Sequence, residues 1–180
     1  RGDDAIRRLD ALPRQVIHND GHRGNLLRPD AQSESIVGVI DFGDLCQTNV
    51  VCEPAIAAAY AAMGLADPMA GIGRLLAGYH AAWPLAEAEL EVFHALVCMR
   101  LCVSVTNSAF QKTVEPANAY LTISERRAWD LLERLSAVDP RRARGYSALG
   151  VHEGRPDPLP GPLPALSQLL PPAGWTHPAA

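Results

Sequence analysis

Hydrophobic positions change their spacing along this chain. In the first forty residues they come as short β-branched or leucine clusters, Val16-Ile17, Leu26-Leu27 and Ile36-Val37 with Val39-Ile40, set among glycines and polar residues. Clusters of this kind predict three short strands, Gln15–His18, Leu26–Arg28 and Ile36–Ile40, the last delivering Asp41 at its end. Asn19 to Asn25, with Gly21 and Gly24 among small polar residues, is predicted to be a loop, and Pro29-Asp30 a turn. Upstream, Asp3 is placed to cap a short helix through Leu12 that Pro13 ends.

Beyond Asp41 the spacing becomes helical, and no further strand is predicted. Pro54 suits the first helical position of a helix through Met63, with Gly64 past its end. Asp67-Pro68 repeats the start signal for a helix to about Trp83. The longest helix is predicted from about Ala86 to Lys112, with Glu87, Glu89 and Glu91 near its start and Lys112 at its end, as the helix dipole favours. Its middle, Leu96 to Val105, is apolar nearly all round apart from Arg100, which marks a central buried helix. Thr122 and Glu125 read as a capping box for a last helix with the stripe Ala128, Leu131, Leu132 and Leu135. The pattern as a whole is α+β and mostly α: a small β cluster followed by a helical body.

Prolines set the domain boundary. Eight of the fifteen fall in residues 151–180, and the run from Arg155 to Pro164 is incompatible with helix or central strand. Residues 1–150 are therefore expected to be the folded part and 151–180 a linker or extended tail.

Composition narrows the function classes. A chain of 180 residues suits one domain or one lobe. Its net charge of −4 supplies no basic field for a nucleic-acid backbone. The longest apolar stretch, Pro54 to Ala66, stops at Asp67, short of a membrane span, and the first residues have no apolar core of a signal peptide. Four cysteines are too few for a disulfide framework at this length, which favours a reduced, cytoplasmic setting. The chain does not begin with Met, so a fragment or a processed product is expected.

Two segments concentrate the chemistry: His18-Asn19-Asp20-Gly21-His22-Arg23-Gly24-Asn25 and Ile40-Asp41-Phe42-Gly43-Asp44. Here the chain resembles the aminoglycoside phosphotransferase family, a branch of the protein-kinase-like fold. The shared pattern is His-x-Asp-x-x-x-x-Asn, then a strand, then Ile-Asp-aromatic-Gly-Asp, and protein kinases carry related motifs at the same Asp-to-Asn spacing. Either half alone is weak; together, sixteen residues apart with room for one hairpin, they are specific.

The resemblance implies a site for phosphoryl transfer from ATP, assisted by Mg²⁺. Asp20 would orient the acceptor hydroxyl and take its proton, orientation mattering more than basicity. Asn25 and Asp41 would offer oxygen ligands to the cation. His18 would brace the loop through hydrogen bonds. Asp44 would reach metal or substrate, or fix the turn after Gly43. Asn19 stands where the family most often has Gly, which removes no catalytic atom.

Val51-Cys52-Glu53-Pro54, Cys98-Met99-Arg100-Leu101-Cys102 and Asn118-Ala119-Tyr120-Leu121-Thr122 are similar to the hydroxylysine kinase-like branch. There such a domain is often fused to a class III aminotransferase module, and a small amino alcohol or hydroxy-amino acid is the implied acceptor. The resemblance covers roughly residues 10–150. The family's N-terminal lobe supplies a glycine-rich turn over the phosphates and a strand lysine. Only nineteen residues precede Asp20 here, none of them Lys, so the chain resembles a C-terminal lobe without that partner.

Other readings stay open. A kinase-like lobe without the phosphate-gripping half could act as a binding or scaffold module. His18, Asp20 and His22 could be ligands of a metal hydrolase, although Gly21 and Gly24 prevent a helix that would align the two histidines. His94, Cys98 and Cys102 share one helical stripe and could suggest zinc, against which cysteine is commonly a small buried apolar residue. Arg100 is not expected to be buried unpaired, and Glu53 or Asp44 is its expected partner unless it snorkels to the surface. Glu53 could instead cap the helix begun by Pro54. Arg1-Gly2-Asp3 spells an adhesion tripeptide, but nothing else in the chain is extracellular in character.

Overall fold

The computed structural model describes residues 8–33, 35–114, 119–139 and 141–143, with 119–124 described as backbone alone. Of the predicted first helix, Arg8 and Leu9 are helical and its earlier residues lie outside the described ones, as do the boundary near 150 and the proline-rich segment.

Among the described residues, four short strands form two antiparallel pairs. β1 (Arg14–Ile17) pairs with β4 (Cys46–Asn49) in the register Arg14 opposite Asn49 and Ile17 opposite Cys46. β2 (Leu26–Leu27) pairs with β3 (Gly38–Val39), Leu26 facing Val39. β4 corrects the expectation of no strand after Asp41. Cys46-Gln47-Thr48-Asn49 has no alternating apolar pattern, and its extended state comes from pairing with β1. The third strand is shorter than its β-branched run, although Val37 N–H to Leu27 O (2.9 Å) and Ile40 N–H to Asn25 O (3.0 Å) carry the ladder past both ends.

The main helices among the described residues follow: α1 (Cys52–Ala62), α2 (Pro68–Ala82), α3 (Glu87–Val114) and α4 (Ala119–Ser136). Asp67 caps α2 by accepting from Ala70 N–H at 3.0 Å, with Pro68 in the first turn, as its sequence signal predicts. At the head of α3 the buried Glu89 reaches back to accept Ala86 N–H at 2.8 Å, satisfying a donor the helix leaves orphaned. Two start positions are corrected. α1 begins at Cys52, so Pro54 is its third residue, still in the first turn, where its missing N–H costs nothing. α4 begins at Ala119, which places Thr122 within the helix rather than at its cap.

α3 is the central helix, packing against α1 on one side and α4 on the other. Its Val92, Phe93, Leu96, Val97, Leu101 and Val105 are buried and meet Val51, Ala55, Ala58 and Ala59 of the α1 region and Ala128, Leu131 and Leu135 of α4. The alanines let α1 lie close to α3. That packing brings the middle of α3, where Arg100 sits, against Tyr60 of α1 and Asp20 in the loop after β1.

Candidate active site

The loop after β1 begins with a left-handed residue. Asn19 has φ 64°, a conformation in which a Cβ is normally costly and which glycine and asparagine tolerate best. That explains why asparagine can stand here in place of glycine. Its backbone N–H donates to Glu53 Oε2 at 2.9 Å, so the first turn of α1 holds the loop by a charged acceptor. Gly21 lies against the same carboxylate: a Cβ there would come within 2.6 Å of Glu53 Oε1. Glu53 therefore latches the loop to α1 through Asn19 N–H.

Asp20 and Asn25 come together directly. Asn25 is buried, and its Nδ2 donates to the Asp20 backbone carbonyl at 3.0 Å and to Asp20 Oδ2 at 3.1 Å. The amide nitrogen is thus committed, and Oδ1 is the atom left for another ligand. Arg100 Nη2 donates to Asp20 Oδ1 at 2.8 Å and to the Tyr60 hydroxyl at 2.8 Å. The partner of Arg100 is therefore Asp20, not Glu53 or Asp44: the crossing of α3 under the loop puts the guanidinium beside Asp20, while Glu53 is turned to Asn19. Tyr60 was not singled out by the sequence, where it sits in an alanine-rich helix and reads as core.

Asp41 is joined to this pair through its neighbour. Ile40 donates its N–H to the Asn25 carbonyl, and its own carbonyl accepts from His18 Nε2 at 2.8 Å. A carbonyl cannot donate, so the His18 proton is on Nε2, and Nδ1 is buried without a partner. The His18 ring also leans on Phe42, with centroids 5.1 Å apart. Asp41 itself has φ 62°, and its side chain makes no capping bond to the short 3₁₀ turn Phe42–Asp44 that follows. A left-handed non-glycine residue at the end of a strand is a strained feature of the kind that gathers at functional sites. Asp44 is exposed at the end of the same turn.

These positions fit a small, oxygen-seeking cation: one free carboxylate and one amide oxygen, on adjoining backbone, is the donor set Mg²⁺ uses when phosphates supply the remaining ligands. The rival metal readings lose their ligands to ordinary bonds. His18 Nε2 is spent on Ile40, and His22 Nδ1 accepts Gly24 N–H at 2.9 Å. His94 Nε2 faces the Leu135 carbonyl at 3.2 Å, Cys102 is exposed, and burial pushes the Cys98 thiol up to about 11, away from the thiolate a metal needs. Among the described residues no group of three or more His, Cys, Asp or Glu side chains could hold a metal ion.

The motifs on these two anchored loops point to a kinase-like phosphotransferase, and comparison with known proteins agrees. The model of the phosphotransferase enzyme family matches residues 3–89, and the chain is similar to this family over that stretch. Within it, the chain is similar to hydroxylysine kinases. It is 30% identical over 127 residues to hydroxylysine kinase of Mus musculus, covering 67% of this chain and 34% of that protein. The corresponding protein of Danio rerio is 33% identical over 123 residues, covering 67% and 35%, and that of Bos taurus 27% over 140 residues, covering 74% and 37%. The chain thus spans about a third of the length of the curated relatives it matches. No solved structure gives a significant match.

Proposed function

We propose that this chain carries the catalytic lobe of an ATP-dependent small-molecule kinase, whose acceptor is a hydroxylated amine such as an amino alcohol or hydroxy-amino acid. The observation that carries the reading is the junction of three segments: Asn25 bonds Asp20 with its side chain and Ile40, next to Asp41, with its backbone. Phosphoryl transfer is mostly a problem of positioning and charge, and this junction supplies both. Asp20 orients the acceptor hydroxyl and takes its proton while the hydroxyl oxygen bonds the γ-phosphorus. The bond to the bridging oxygen breaks, and its electron pair leaves with ADP. Asn25 Oδ1 and the Asp41 carboxylate would hold Mg²⁺, which when bound neutralises phosphate charge. His18 keeps the strand that bears Asp41 in place against the loop that bears Asp20.

The acceptor class is supported by the hydroxylysine kinases among the relatives. A cytoplasmic setting is part of the proposal, supported by four cysteines that are all free thiols. Among the described residues no helix is long and apolar enough to cross a membrane. The test is ADP release by the full gene product with Mg-ATP, against a panel of amino alcohols, hydroxy-amino acids and aminoglycosides. Acceptor-dependent turnover with one of the first two groups, lost in Asp41→Ala, is expected. Turnover with none of them, or undiminished turnover in Asp41→Ala, overturns the proposal.

A further inference from the structure

We propose that Arg100 and Tyr60 fix one oxygen of Asp20, Oδ1, and so assign the other, Oδ2, to the acceptor hydroxyl; this rests on the phosphotransferase reading above. Both residues lie outside the two motifs, Tyr60 on α1 and Arg100 on α3, 80 positions from Asp20. The side chains of Arg100 and Asp20 are only 21% and 18% exposed, so their contact is largely shielded from competing water.

The two oxygens are held unequally. Oδ1 accepts a charge-assisted bond of 2.8 Å from Arg100 Nη2, the length expected of a strong ionic hydrogen bond. The guanidinium is itself fixed: the same nitrogen donates to Tyr60 Oη, and its carbon lies 5.2 Å from the centre of the Tyr60 ring. Oδ2 has weaker partners, Asn25 Nδ2 at 3.1 Å and His22 Nε2 at 3.3 Å. Asn25 Nδ2 has a second acceptor in the Asp20 carbonyl, and so does not depend on Oδ2. His22 accepts from Gly24 N–H at Nδ1, which leaves its proton on Nε2, facing Oδ2 across a long contact that an incoming hydroxyl can displace. Its ring packs edge-on against Tyr60, 5.2 Å between centroids, so the same tyrosine borders two of the carboxylate's three partners, Arg100 and His22.

An acceptor hydroxyl therefore meets Oδ2, and the proton it gives up stays there while Oδ1 keeps its bond to Arg100. Arg100 touches neither acceptor nor nucleotide in this account. It is a positioning residue: Nη2 gives one hydrogen to Asp20 and one to Tyr60 from a rigid guanidinium plane, which lysine's flexible ammonium cannot reproduce in full.

The test uses steady-state kinetics of the full gene product and its Arg100→Met, Arg100→Lys and Tyr60→Phe variants, each checked for folding by its thermal transition. Arg100→Met is expected to lower kcat by roughly 100-fold, the effect of a misplaced catalytic group, with KM for ATP nearly unchanged. Arg100→Lys is expected to recover part of that loss, because it keeps the charge. Tyr60→Phe, which keeps the ring and loses the hydroxyl, is expected to lower kcat several-fold and so tests the account even if Arg100→Met fails to fold. A folded Arg100→Met or Tyr60→Phe with wild-type kcat overturns the inference and leaves the kinase reading standing. So does a rise in acceptor KM at constant kcat, which would make Arg100 a binding group. Absence of transfer to any acceptor by the wild type removes the kinase reading, and this inference with it.

Discussion

Replacing Glu53 by alanine should release the loop that carries Asp20. Glu53 Oε2 accepts the Asn19 N–H at 2.9 Å, and no side chain in the motif itself replaces that acceptor. A hydrogen bond to a charged group contributes about 1.5–3 kcal/mol. An acidic side chain in the first turn of a helix, where Glu53 sits in α1, adds about 0.3–1 kcal/mol. Glu53→Ala should therefore cost about 2–4 kcal/mol, and Glu53→Gln, whose carbonyl can still accept, about 1 kcal/mol. Gly21→Ala should cost about 1 kcal/mol by pushing its Cβ against Glu53 Oε1. In the double variant Gly21→Ala/Glu53→Ala that cost should vanish, because the atom it strikes is gone. Urea denaturation gives the free energies, and amide exchange at Asn19 reports the latch directly, since its N–H loses protection in Glu53→Ala. A Glu53→Ala protein within about 0.5 kcal/mol of wild type, with Asn19 exchanging at the wild-type rate, would refute the reasoning. Additive costs in the double variant would also contradict it.

Other outcomes follow from single features. At Asn19, with φ 64°, substitution by Gly should leave stability unchanged or raised, whereas Asn19→Val should cost about 1–2 kcal/mol by urea titration. Phe93 is fully buried in the second turn of α3, and Phe93→Ala should cost about 3–5 kcal/mol with the denaturant slope unchanged. Burial raises the Cys98 thiol to about 11, so below that pH it stays protonated and poorly nucleophilic. A thiol reagent at pH 8 should modify the exposed Cys102 well before Cys98, whose rate should climb as the pH approaches 11; equal rates at pH 8 would contradict the buried placement.

Much of this lobe was legible in the sequence because its signals are local. Asp67-Pro68 gives the start of α2 by cap chemistry, and the apolar middle of α3 gives a central helix by periodicity. β4 was not legible, because Cys46-Gln47-Thr48-Asn49 becomes a strand only through a partner some thirty residues away in β1. Thr122 and Glu125 misled for the opposite reason. Their spacing matches a capping box, yet α4 starts at Ala119 and runs through them. The motif residues His18, Asp20, Asn25 and Asp41 could be picked out by spacing, and Glu53 and Arg100 as candidate partners, but which group each of those two holds could not. The link from Arg100 to Asp20 spans 80 positions and depends on the angle at which α3 passes beneath the loop, which no periodicity encodes. Tyr60 carries no signal at all among the alanines of α1. The left-handed backbone at Asn19 was half visible, as an asparagine, which tolerates that conformation better than most residues.

The claim that Asp20 takes the proton of an acceptor hydroxyl is tested most directly by ³¹P NMR of the full gene product incubated with Mg-ATP and a hydroxylated amine. The account predicts a new phosphomonoester resonance growing as ADP accumulates, and its absence in a folded Asp20→Ala variant that still binds nucleotide. A phosphomonoester formed at the wild-type rate by Asp20→Ala, or inorganic phosphate as the sole product of the wild type, would contradict it.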